Sequence, residues 1–223
     1  MQTFATTAPI AAVVALPAGR LRFVAADRAD ATVEIRPADA SESRDVKAAE
    51  QTSVSFDGGV LRISAPEPKN QLFGQTGSVE ITVQLPAGSS VDAKAAAGEL
   101  RGVGRLGDVA FEAARGPVRL DEAASARLAL QDGDITIDRL HGSATLTTAR
   151  GDLTVAEATG GDLVLDTKAG SITVGAARGT SAVLDAGTAL GRVVNTLRNA
   201  EGKGAELTIR ATTALGDITA RSH

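Results

Sequence analysis

Cysteine, tryptophan and tyrosine are missing from all 223 residues, and methionine occurs once. Without Cys there are no disulfides, thiolate zinc sites or cysteine nucleophiles. Five Phe are the only aromatics, 2% of the chain, so sites that grip sugars or bases by ring stacking have little to be built from. Histidine is almost absent as well: His141 stands before Gly142 and His223 is the last residue. Neither sits in a recognisable nucleophile motif. Positive charge is in slight deficit, with 23 Lys+Arg against 27 Asp+Glu for a net charge of −4. No footprint for nucleic acid or an anionic membrane surface results. Long apolar runs are lacking too. The longest near the start, residues 9–18, falls short of the ~20 residues a membrane helix needs. The first basic residue, Arg20, follows that run, whereas a signal peptide places its basic region first. A cytoplasmic location is expected.

Hydrophobic residues make up 43% of the chain and charged ones 22%, which is ordinary for a globular protein with a sizeable core. That core must be built from Val, Leu, Ile and Ala. From about Gly98 the chain is punctuated by Gly, then a small or polar residue, then an apolar-x-apolar triplet, a period-2 strand signal. The clearest copies begin at Gly133, Gly151, Gly170, Gly191 and Gly216, in steps of 18, 19, 21 and 25 residues. In the last four a Thr stands three residues ahead of the Gly: Thr148, Thr167, Thr188 and Thr213. Weaker half-period copies begin at Gly142, Gly161, Ser181 and Ala205. A strand plus a turn therefore takes about nine residues, and two such units make one coil.

Units this short cannot bury an apolar face alone and must lean on the next coil, so the spacing predicts a parallel β-helix (β-solenoid) of 18–21 residues per coil. The step of 25 predicts a loop protruding from the stack over residues 195–204. Gly at this frequency, with Thr, Val and Ile between, argues against helices. One stretch allows either a short helix or a solvated loop, Ala38 to Glu50. All seven Pro and all five Phe lie before residue 118. Residues 1–97 are accordingly expected to be an irregular β N-terminal capping region and residues 98–223 the regular repeats, in one continuous domain. The segment 67–77 is the most loop-like part.

Several strings imitate functional motifs. Residues 102–107, Gly-Val-Gly-Arg-Leu-Gly, match a dinucleotide-binding fingerprint, which requires a strand before it and a helix after it. Gly116-Pro117 breaks the chain too soon for that helix, so repeat turns are expected instead. Arg150-Gly151-Asp152 spells an adhesion tripeptide, but the aligned positions in other copies keep the Gly and not the Arg, so the Arg is incidental to the turn. Asp132, Asp134 and Asp138, or Asp162 and Asp166, stand at turns without the strict nonapeptide order of calcium-binding rolls. They read as solvated turn residues. No catalytic, cofactor-binding or metal-ligating residue is assigned, and neither a cofactor nor enzymatic activity is expected.

The recurring G-D-[IL]-T-[IV], ending in Ala214-Leu215-Gly216-Asp217-Ile218-Thr219, resembles the bacterial β-strand-repeat family called "putative adhesins", also described as toast-rack domains. The resemblance takes in residues 103–109 and the two Leu-Pro-Ala-Gly strands, and the Ala-rich, Lys-poor usage is similar to actinobacterial members. It implies a right-handed β-helix with no catalytic residues to carry over and a link to cell-envelope stress, since some relatives accompany such systems. The expected function is a non-enzymatic scaffold or protein-interaction module. The alternative is a bactofilin-like filament grown by end-to-end stacking, with the open end at the strand around Ile218. The expected partner is another protein, or a second copy, at the solenoid ends or faces. No nucleic acid, no direct membrane span and no small-molecule substrate is expected.

Overall fold

Period-2 alternation of small apolar residues does produce strands nearly everywhere in the computed structural model, which describes residues 1–65, 77–198 and 204–223. The segment expected to be most loop-like lies outside these residues, apart from Gly77. Two compact units form, Met1–Gly116 and Pro117–His223.

In the first unit the strands are β1 (Gln2–Ala5), β2 (Ala11–Ala26) and β3 (Asp30–Pro37). A helix α1 (Ser43–Gln51) follows, then β4 (Ser53–Asp57), β5 (Val60–Ser64), β6 (Val79–Pro86) and β7 (Ser90–Arg115). The 16-residue β2 is itself a rung. Its first half pairs in parallel with β5 on one side and β7 on the other; its second half pairs in parallel with β6 and β7. Leu21, Phe23, Leu61, Ile63, Ile81 and Leu85 are buried there. Outside this parallel layer the direction reverses: β3 is antiparallel to β6, β1 to β3, and β4 to β5. Of the two open readings of residues 38–50, the helix is the one that forms. Its Asp45 is buried and accepts the amide hydrogens of Asp39 (3.1 Å) and Ser78 (2.9 Å), which fastens the helix to the ends of two strands.

In the second unit the strand pairs among the described residues are parallel. It contains β8 (Val118–Asp132), β9 (Ile135–Leu140), β10 (Ala144–Arg150), β11 (Leu153–Ala158), β12 (Gly161–Ala169) and β13 (Ile172–Ala176). Then come β14 (Ala182–Leu190), β15 (Val193–Thr196), β16 (Leu207–Leu215) and β17 (Ile218–Ser222). Up to β13 each rung lies on its predecessor, with Val118, Ile135, Leu153 and Ile172 in one column.

Beyond β13 the order in space departs from the order in sequence. β16 pairs with β12 on one side and β14 on the other, and β17 lies between β13 and β15. The last rung of the chain is thus inserted beneath the one before it. This corrects the expectation that the strand around Ile218 forms the open end. Ile218 is 1% exposed, covered from both sides. The loop expected over 195–204 is corrected in part: Asn195 and Thr196 belong to β15. The chain beyond them steps back one rung, and residues 199–203 lie outside the described part.

Candidate functional site

The Gly and Thr of the repeat have a joint role. Gly133, Gly151, Gly170 and Gly216 all have positive φ, between 141° and 154°, and a Cβ on Gly151 would strike the carbonyl of Gly133 in the rung below. Only Gly permits that backbone and that approach. The Thr hydroxyls donate to these same carbonyls: the buried Thr167 to Gly151 (3.1 Å) and Thr213 to Gly170 (2.9 Å), and the half-buried Thr188 to Gly216 (3.0 Å). The position after Gly has its own ladder. Asp134 accepts the Asp152 amide (2.8 Å), Asp152 that of Ser171 (2.7 Å), and Asp217 that of Arg192 (2.8 Å). Of the Asp read as solvated turn residues, Asp134 is exposed and also serves as an inter-rung acceptor. The Arg192 amide, and next its guanidinium at 3.2 Å, hold the Asp217 carboxyl below the usual carboxylate range.

The other motif-like strings are absorbed in the same way. Residues 102–107 lie inside β7, with Gly102 opposite Phe23, and the chain continues after them as strand to Arg115. Arg150 faces Asp132 at 3.4 Å across rungs. His141 Nε2 is 2.8 Å from Glu122, which also meets Arg139 at 3.5 Å, while Arg139 reaches Glu157 at 3.8 Å. These pairs join successive rungs on an exposed face, where each contributes little. His223 lies against the Ala156 carbonyl at 2.9 Å. Among the described residues no three His, Asp or Glu are grouped to hold a metal ion, and no helix is long and apolar enough to cross a membrane. A shallow concavity of about 490 Å³ is lined by residues of β12, β14 and β16, Asp166, Lys168 and Gly187 among them.

The feature that stands apart is rung β14–β15. The column Val118, Ile135, Leu153, Ile172, Ile218 has exposures of 0–1%, yet Val193, next in register on Ile218, is 44% exposed. Leu184, in register with the buried Ile209, is only half-buried. On the outward side Val183, Leu190 and Val194 are exposed as well. Except at Ala182, whose amide donates to the Arg198 carbonyl (3.3 Å), the far edge of β14 has no strand partner among the described residues. Sequence reasoning counted this rung as an ordinary repeat and did not mark it as the exposed one. Its traces are there: Arg192 where other copies have Asp or Ser, the Val193-Val194 doublet, and small residues at 186, 187 and 189.

A one-rung repeat, parallel strands and inward Thr and apolar ladders define a β-solenoid-like fold. The chain belongs to the Toastrack DUF4097 family, whose model matches residues 103–221. Similar solved structures include one described as a "putative cell adhesion protein" from Clostridium sporogenes, with 12% identity, 100% of this chain and 98% of that chain covered, and a TM-score of 0.41. Another, a "putative adhesin" from Bacteroides fragilis, has 12% identity over 98% of this chain and 95% of that one, at a TM-score of 0.43. Among curated proteins none matches.

Proposed function

We propose that the chain is a non-enzymatic protein-interaction module, a right-handed β-helix of 18–21 residues per coil. In this reading residues 1–97 serve as a cap, and other proteins are engaged at rung β14–β15. The supporting observation is the jump in exposure at Val193, from buried below to open above, on a strand whose outer edge has no strand partner among the described residues. Unpaired strand edges with apolar side chains attract further strands, and backbone hydrogen bonds then supply affinity while side-chain pockets supply selectivity.

The test is a photo-crosslinking residue placed at Val193 in the producing cells, with the same group at Val164 as control. Val164 is also exposed, at 38%, but sits on the inner strand β12. Protein adducts at Val193 and none at Val164 are expected. Equal labelling at both sites, or none at either, overturns the reading, as does substrate turnover that one point substitution abolishes. Fractionation of the same cells checks the cytoplasmic location expected above; intact chain at the cell surface moves the function to adhesion.

A further inference from the structure

Resting on that reading of the rung, we propose that its occupant is the same rung of a second copy, related by a two-fold axis, so that a closed dimer forms. The opening is two strands wide. Between β14 and β15 the inward residues Leu184, Ala186 and Val193 form a seam that neither strand covers. One extended peptide pairs with one strand and leaves the seam wet. Another rung of this kind spans both strands and brings its own apolar seam.

Charge permits the match. The rung from Ala182 to Thr196 carries one acid, Asp185, and one base, Arg192. Both are already engaged with the rung beneath, Asp185 with Arg210 at 3.6 Å and Arg192 with Asp217 at 3.2 Å. Two such rungs facing each other meet no net like charge.

Two observations favour closure over a growing stack. In the rungs of Ile135, Leu153, Ile172 and Ile218 the residue after Gly is Asp134, Asp152, Ser171 or Asp217, each with an oxygen that can accept the amide of the rung above. In the outermost rung, β14–β15, it is Arg192, whose side chain has donors only, so the side-chain ladder does not continue outward from it. A head-to-tail copy also needs a matching parallel rung to offer. In the first unit the outer strands β1 and β4 run antiparallel to their neighbours. Phe4 and Phe56 on those strands stack with ring centroids 5.3 Å apart. A two-fold contact needs neither feature, because it pairs the rung with itself and its strands antiparallel.

The contact is small. A nine-residue strand at ~3.3 Å per residue, across a ~10 Å layer, presents on the order of 300 Å² per partner, well under the ~800 Å² of a standard interface. A reversible dimer follows, populated at micromolar to near-millimolar concentration.

Light scattering coupled to size exclusion, over a concentration series of the purified full chain, reads this directly. A monomer–dimer equilibrium is expected, weakened at least about tenfold by Val193→Lys, since a two-fold contact meets each substitution twice. Leu190→Lys, on a side chain 68% exposed in the monomer, gives the same result without touching the core. Val164→Lys leaves the dimer unchanged. A monomer at every concentration, assembly beyond the dimer, or dimers indifferent to both Val193→Lys and Leu190→Lys overturns the proposal. A monomeric purified chain that still forms adducts at Val193 in cells overturns only the second copy as partner and leaves the interaction module standing.

Discussion

The two units treat their outer rungs in opposite ways. In the first, the parallel layer of β2, β5, β6 and β7 is followed outward by antiparallel strands. These are short, with polar outward residues such as Ser53, Ser55 and Asp57 on β4, and the Phe4–Phe56 pair and α1 add further cover. In the second, the outermost rung is one more parallel repeat, with no antiparallel strand beyond it among the described residues. An edge is closed by changing strand direction and polarity and left open by repeating both. The two units nevertheless share one device. In each, the rung nearest the chain terminus lies one layer inside: β2 between β5–β6 and β7, and β16–β17 between β12–β13 and β14–β15.

The contrast predicts where substitutions hurt. The largest effect is expected for Gly151→Ala within the second unit's stack, where positive φ and the Gly133 carbonyl both oppose a Cβ. Urea denaturation is expected to show a loss of about 3 kcal/mol or more. Gly58→Ala, at φ 54° in the first unit's β4–β5 turn with nothing within 4 Å, is expected to cost only about 1 kcal/mol. Equal losses at the two glycines break the idea that rung stacking sets the requirement.

Inward apolar positions grade in the same way. Leu146→Ala, at a fully buried site, is expected to cost about 3 kcal/mol. Leu184→Ala, half-buried on the open rung, is expected to cost roughly 1 kcal/mol. If Leu184→Ala matches Leu146→Ala in thermal or urea denaturation, the rung is not open in solution.

In the first unit, Asp45→Ala removes the acceptor for two amides, and a loss of about 1–3 kcal/mol is expected. Asp45→Asn, which keeps one oxygen, should recover part of it. Full retention of stability in Asp45→Ala means that α1 does not help close the outer rung.

The smallest effect concerns pH. The Asp217 carboxyl is held below the usual carboxylate range in the folded chain, so its contribution is complete above the ordinary unfolded pKa. It is lost as pH falls through the lowered folded value. Asp217→Asn should flatten that acidic limb of the stability curve slightly. An NMR titration placing the Asp217 midpoint at or above that of free aspartate breaks the inter-rung ladder at its last step.

Much of this architecture was legible in the residues. Alternation marked the strands, Gly133, Gly151, Gly170 and Gly216 marked the turns, and the Thr three places earlier marked the inward corner. Those patterns are local, with a strand's period of two and a turn's tolerance for Gly, so one chain suffices to read them. The candidate site was not legible. Val193 has the same inward place in its repeat as Ile135 or Leu153, and nothing adjacent in sequence says that it lacks a cover. The roles of Asp134 and Asp152 were hidden similarly, because the amide that each accepts lies 18 or 19 residues away.

The sequence by itself determined that these residues form short strands with one apolar face, joined at glycine turns and destined to stack. Tertiary structure alone decided the stacking order. Every rung offers neighbours nearly the same parallel ladder and the same inward column, so local pattern cannot distinguish insertion beneath β14–β15 from addition above it. The whole second unit makes that choice. The rung carrying Leu207, Ile209, Ile218 and Ala220 is buried from both sides, and the rung with Ala186, Gly187, Ala189 and Asn195 is left outside.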